Sequence, residues 1–191
     1  MKMEHALEER QRFGERGSVA APDEVGLLVL AARRGDRAAF AALYRRFARA
    51  VHAVVLARVE AREATDVVQE VFLLALERLG QLAEPAAFPG WILGIARSRA
   101  GEAARRRRPL ELVSEPASPE LPSAEAKRAL EAIRGLPDAY RETLIMRLVE
   151  GMSGPEIAER TGLTPGSVRV NLHRGMKLLR ERLGIAEDDH G

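Results

Sequence analysis

Arg169, His173, Arg174 and Lys177 recur at three- and four-residue steps near the end of the chain, and their donors are of the kind that grip phosphates and reach base edges. They follow "GLTPGSV", residues 162–168. There Gly162 permits a left-handed helix stop, Thr164 is a helix cap, and Pro165 suits the first turn of the next helix. Upstream, Ser153 and Glu156 have capping-box spacing and start a short preceding helix. Helix, glycine-containing turn, helix is the grammar of a helix-turn-helix. On a wheel of about 100° per residue, Val168, Leu172, Gly175 and Leu179 share the inner side, while Arg169, Val170, His173, Arg174 and Lys177 share the outer one. Gly166 and Ser167 open this helix at its positive end. A helical hairpin with a solvated basic face has the same pattern, and these residues alone leave both readings open.

A second group lies in "WILGIARSRAGEAARRRRP", where Trp91, Arg97, Ser98 and Arg99 precede the run Arg105, Arg106, Arg107 and Arg108. An aromatic ring, polar groups and cations along one element match what single-stranded nucleic acid needs. The plainer alternatives are a Trp that fills the core and cations that simply suit a helix C-terminus. Hydrolytic and metal chemistry find no support. The four His, at 5, 52, 173 and 190, show no ligand spacing, no Ser–His–Asp segment is recognisable, and the glycines form no phosphate loop. His52 falls within an amphipathic pattern and reads as a packing residue. The chain has no Cys, which removes disulfides, thiolate nucleophiles and thiolate metal sites.

These groups must be positioned by helices. Hydrophobic residues make up 46% of the 191 residues and aromatic ones only 4%, with Ala, Leu, Arg and Glu dominant, so an all-α fold is expected. The formal charge of +2 leaves the basic character local. Residues 1–21 form a polar lead-in. From Pro22, "PDEVGLLVLAARRGD" reads as a first helix. Asp36 caps a second, with Phe40, Leu43, Tyr44, Phe47, Val51, Val54 and Val55 on one face. "EATDVVQEVFLLALERLG" reads as a third that stops at Gly80, and the Trp91 segment as a fourth that stops at Pro109.

The stretch 109–124 concentrates Pro, Ser and Glu and reads as a flexible acidic linker. Four further helices follow over 125–185, then a tail, 186–191. The expected architecture is two small helical domains, 22–108 and 125–185, the second a helix-turn-helix. No apolar run reaches the roughly 20 residues of a membrane span, so a cytoplasmic protein without membrane insertion is expected.

Together these segments resemble the extracytoplasmic-function sigma factors of bacterial RNA polymerase, a two-domain branch of the sigma-70 family, from about residue 23 to residue 184. "LAARRGDRAAFAALYRRF" resembles the family's opening region, "DVVQEVFLLAL" its polymerase-binding helix, "WILGIARSRAGEAARRR" its melted-promoter helix, and the stretch from "LPDAYRETLIMRLVEG" to "KLLRERL" its promoter-reading domain. The resemblance implies a subunit without catalysis or cofactor that brings core polymerase to promoters, in a stress or envelope response.

Asp66, Gln69, Glu70, Phe72 and Leu73 would meet the clamp helices of the largest polymerase subunit, with the flap as a further contact. Trp91, Arg97, Ser98 and Arg105 to Arg108 would hold the melted minus-10 strand, and the loop "QLAEPAAFPG" would capture a flipped base. Ser167, Arg169, Val170, His173, Arg174 and Lys177 would read the minus-35 element. The resemblance also allows an anti-sigma factor as a partner. Ser98 stands where the family often has Asn, Val170 and Asn171 where it commonly has Ser and Arg, and Gly175 where it usually has Ala. A glycine there is expected to loosen the last helix by about 1 kcal/mol.

Overall fold

The computed structural model describes residues 24–107 and 124–185, and every regular element in them is helical. The lead-in, nearly all of the expected linker, the tail and Arg108 lie outside the described residues.

The first domain holds α1 (Glu24–Arg33), α2 (Arg37–Leu56), α3 (Ala61–Arg78) and α4 (Phe88–Arg107), with 3-10 turns at Leu79–Gln81 and Pro85–Ala87. Asp36 caps α2 as expected, its carboxylate accepting from the Ala38 and Ala39 amides at 2.8 and 3.1 Å. Leu43, Phe47, Val51 and Val54 then pack with Val71, Ala75, Ile92, Leu93 and Ala96, all fully enclosed. Phe47 and Phe88 meet edge to face at 5.1 Å. Arg33 of α1 donates to the carbonyls of Leu79 and Leu82, which ties α1 to the turn that ends α3.

Two boundaries differ from expectation. Gly80 is not a left-handed stop: the chain passes through it in a 3-10 turn, and the left-handed glycines among the described residues are Gly35, Gly151, Gly162 and Gly184. Helix α4 begins three residues before Trp91, because Pro89 in its first turn needs no intrahelical donor.

The second domain holds α5 (Ala124–Arg134), α6 (Asp138–Leu148), α7 (Gly154–Thr161) and α8 (Pro165–Leu183). The capping box at α7 forms: the Ser153 amide donates to Glu156 Oε2 at 2.7 Å, and the Glu156 amide to Ser153 Oγ at 3.4 Å. Gly162 closes α7 at φ 73°, and Thr164 Oγ1 accepts from the Ser167 amide at 3.1 Å to start α8. Helix α8 lies against α6 where Gly175 gives it room. A Cβ there would stand 3.1 Å from both Tyr140 Cβ and Leu144 Cδ1.

The two domains pack directly on one another, with α6 on α2 and α7 on both α2 and α4. The last turn of α2 carries no basic residue, and the carbonyls of Leu56, Ala57 and Val59, at and just beyond its end, are served from the other domain. Arg134 donates to Leu56 O at 3.1 Å and Val59 O at 2.5 Å, and Arg141 to Ala57 O at 3.3 Å. Helix C-terminal carbonyls lack intrahelical donors and attract cations, so these guanidiniums complete α2 chemically and electrostatically. Ala50, Ala53 and Leu56 are consequently buried along with the expected face, and the second half of α2 has almost no exposed side.

Candidate nucleic-acid interface

Helix α8 presents the face its sequence indicated. Val168, Gly175 and Leu179 are buried and Leu172 half-buried, while Ser167, Arg169, Val170, His173, Arg174 and Lys177 are exposed. The Ser167 hydroxyl lies 2.9 Å from Thr164 Oγ1, so it is engaged in the cap that orients the helix. No acid among the described residues pairs with Arg169, Arg174 or Lys177, which leaves their charge available to an external anion.

Helix α4 divides its expected residues between two environments. Its inner side, Ile92, Leu93, Ala96 and Ala100, is fully buried and fixes the rotation of the helix. Positions 91, 98 and 105, seven apart, fall on one stripe that drifts by only about 20° per heptad. Trp91 is half-buried, with its ring 5.8 Å from that of Phe88, so it serves both as part of the packing and as a partly open aromatic surface. Ser98 donates to Glu102 at 3.3 Å, and Arg105 and Arg106 are exposed. Arg99 also pairs with Glu102, at 2.6 Å, and holds that carboxyl below its usual range. The Arg107 backbone continues the helix.

Arg97 is turned away from this stripe toward the second domain. Its Nε and Nη2 donate to Glu142 of α6 at 2.9 and 2.7 Å. Arg58, which follows α2, reaches the same carboxylate at 2.9 Å and Asp138 at 2.6 Å. Glu142 is buried, and sequence reasoning missed both it and Arg58, because nothing local marks a carboxylate whose partners lie 45 and 84 positions away. His52, read as a packing residue, instead places Nδ1 2.6 Å from Glu150 Oε1 across the domain boundary. Arg46 bridges Glu24 and Glu159, and its hydrogen bond to Glu159 holds that carboxyl below its usual range. The Arg160 guanidinium lies 5.7 Å from the centre of the Phe47 ring.

The third expected group gathers on α3. Asp66, Gln69, Glu70 and Leu73 are exposed, whereas Phe72 is buried with its ring 4.6 Å from Tyr44. Phe72 thus forms the floor of a shallow apolar groove between α2 and α3, walled by Phe40, Tyr44, Leu73 and Leu76. Phe40 and Tyr44 were expected on the apolar face of their helix; Tyr44 is 42% exposed and Leu76, not anticipated, 50%. Among the described residues no cluster of His, Asp and Glu could hold a metal ion, and no helix is long and apolar enough to cross a membrane.

Comparison with known proteins places these elements in order. Residues 43–109 match the model of sigma-70 region 2 and residues 126–179 that of sigma-70 region 4. The chain is 30% identical to the RNA polymerase sigma factor CarQ of Myxococcus xanthus over 165 residues, which span 81% of this chain and 95% of CarQ. It is 36% identical to the ECF RNA polymerase sigma factor SigD of Mycobacterium tuberculosis over 65% of each chain. Among solved structures, CnrH in complex with the cytosolic domain of CnrY superposes with a TM-score of 0.57 at 26% identity, covering 85% of this chain and 98% of that one.

Proposed function

The chain belongs to the sigma-70 family of RNA polymerase sigma factors, in its extracytoplasmic-function branch, and on that premise we propose how its surfaces share the work of promoter recognition. Helix α8 enters the major groove of the minus-35 element. Arg169, His173 and Arg174 face base edges, Val170 offers an apolar contact, and Ser167 and Lys177 approach phosphates. The stripe of Trp91, Ser98 and Arg105, with Arg106, Arg107 and Arg108 next in the sequence, holds the nontemplate strand once the minus-10 element has opened. Arg97 joins it when released from Glu142. The groove floored by Phe72 and walled by Leu73, with Asp66, Gln69 and Glu70 on its rim, docks on the clamp helices of the largest polymerase subunit, and the second domain meets the flap.

Such a subunit carries no chemistry of its own. It contributes sequence-dependent binding energy that places the polymerase and traps the opened strand, in the cytoplasm, in a stress or envelope response. The observation that supports this reading most directly is the unpaired basic face of α8 on the domain that matches region 4. A covering partner of the kind CnrH has in CnrY is proposed here as well, since it would hold the domains together until a signal arrives. The test is transcription from a genome-wide template pool by core polymerase with and without the purified protein. Promoter-specific starts that depend on it are expected. Core alone giving the same starts, or tight palindromic DNA binding by the free protein with no core association, would overturn the reading.

A further inference from the structure

The Glu142 carboxylate sits in an arrangement built for an anion. Arg58 Nη2 reaches Oε1 at 2.9 Å, Arg97 Nε reaches Oε1 at 2.9 Å and Oε2 at 3.2 Å, and Arg97 Nη2 reaches Oε2 at 2.7 Å. Arg58 is held in place by its own Nη1, which donates to Val54 O at 3.1 Å. Both guanidiniums belong to the first domain. Among the described residues, the acids that pair with them, Glu142 and Asp138, both belong to α6 of the second. Once α6 moves away, two converging cations remain on the first domain, and no described carboxylate of that domain pairs with them. A guanidinium fork binds phosphate with the same two-oxygen geometry as carboxylate, and the fork here is Arg97, on the helix assigned to the melted strand.

We propose that Arg58 and Arg97 form a phosphodiester site for the opened promoter strand, and that Glu142 occupies it in place of the phosphate while the two domains are closed. The proposal rests on the strand-binding role of α4 given above and adds Arg58 to it. Closure and strand capture then compete for one pair of cations, so the free protein is kept from single-stranded DNA by its own second domain. A polymerase that separates the domains uncovers the site at the moment the strand is available.

The test uses the full chain. Because the sequence has no Cys, a donor and an acceptor dye can be placed at Glu77→Cys and Glu181→Cys, one in each domain and both exposed, to report closure. Affinity for a short fluorescein-labelled single-stranded oligonucleotide is measured in parallel, without the dye pair, over a range of salt. Glu142→Ala removes both ion pairs of that carboxylate and Arg58→Ala removes the Arg58 pairs with Glu142 and Asp138, so both loosen closure and lower energy transfer, but only Glu142→Ala leaves the phosphate site intact. If the closed form holds nine-tenths of the molecules, Glu142→Ala tightens DNA binding about tenfold. Arg58→Ala does not gain that tightening, and its salt slope is shallower by about 0.7 for the phosphate contact it loses.

Equal tightening by both variants assigns the gain to opening alone and overturns the site, as does an opened Glu142→Ala that binds no better. Should Glu142→Ala not fold, Glu142→Gln keeps the volume without the charge. The wild-type protein gives an independent reading: the oligonucleotide must itself lower energy transfer, and transfer unchanged at saturating DNA refutes the competition. Core-dependent transcription by the wild-type protein is run alongside. Its failure sinks the promoter reading, whereas its success with a failed DNA arm removes only the phosphate site.

Discussion

Replacing glycine by alanine should act with opposite sign at two helical positions of this protein. Gly94 lies mid-way along α4, exposed, with nothing within 4 Å of the place a Cβ would occupy. There the substitution only removes the helix cost of glycine and should stabilise the fold by about 0.5–1 kcal/mol. Gly175 of α8 has the same propensity to recover, but its Cβ would sit 3.1 Å from Tyr140 Cβ and from Leu144 Cδ1, and 3.2 Å from Leu144 Cγ. Carbon pairs are most favourable at roughly 3.5–4.0 Å, and Tyr140 Cβ is fixed to the α6 backbone, so the two helices must move apart by a few tenths of an ångström. Overpacking of a formed contact costs about 1–3 kcal/mol, which outweighs the propensity gain and leaves Gly175→Ala destabilised by about 1 kcal/mol.

Urea melts followed by far-ultraviolet circular dichroism measure both, with a shared m-value so that midpoints report stability directly. Thermal midpoints should move by roughly 2–4 °C per kcal/mol for a cooperative unit of this size. Equal stabilisation at the two positions would refute the reasoning, because it would mean that α6 and α8 are not in contact through Gly175. The expectation that this glycine merely loosens α8 would then stand after all.

Arg174→Ala should cost roughly 1–3 kcal/mol in promoter binding by the holoenzyme and relax preference at one minus-35 position; equal loss on specific and scrambled minus-35 duplexes in a competition assay removes it from base readout. Ser153→Ala should destabilise the second domain by about 1 kcal/mol through loss of the capping box, read by the same urea melts. Leu73→Glu should abolish retention of core polymerase in a pull-down while leaving the melting curve unchanged, since that side chain is 62% exposed. For pH, the Glu159 carboxyl is held below its ordinary 4.5, chiefly by the hydrogen bond from Arg46. Its contribution to closure is therefore complete above that value and is lost as pH falls through the lower folded value. Energy transfer between the domains should drop over that acid range, and Glu159→Gln should remove this part of the drop.

The helix starts were legible because their signals are local. Asp36, the Ser153–Glu156 pair and Thr164 each bond to amides two or three residues away, so spacing alone implied the geometry. The inner face of α8 was legible for the same reason, as burial there follows one periodicity. The close approach at Gly175 was not legible, because propensity is a property of one helix, whereas the room at this position is set by Tyr140 and Leu144 on another. The start of α4 was missed because Pro89 reads as a breaker unless it falls in a first turn. Most of what was not visible concerns the domain boundary: Arg134 on the end of α2, His52 on Glu150, Glu142 between Arg58 and Arg97. Each partner there is separated by dozens of residues, and a charged side chain on a helix looks the same in sequence whether it meets solvent or another domain.

The finishing of α2 by Arg134 has a consequence for the life of the protein on the ribosome. The carbonyl of Leu56 receives its guanidinium from a residue 78 positions later. At about 5–20 residues per second, a nascent chain spends roughly 4–16 s between making the end of that helix and making the residue that seals it. Over that time the Leu56 carbonyl has no guanidinium from the second domain to meet it. Over that interval a first domain that has already folded, with the apolar groove between α2 and α3 and the exposed stripe of α4, would have no second domain to cover Arg97.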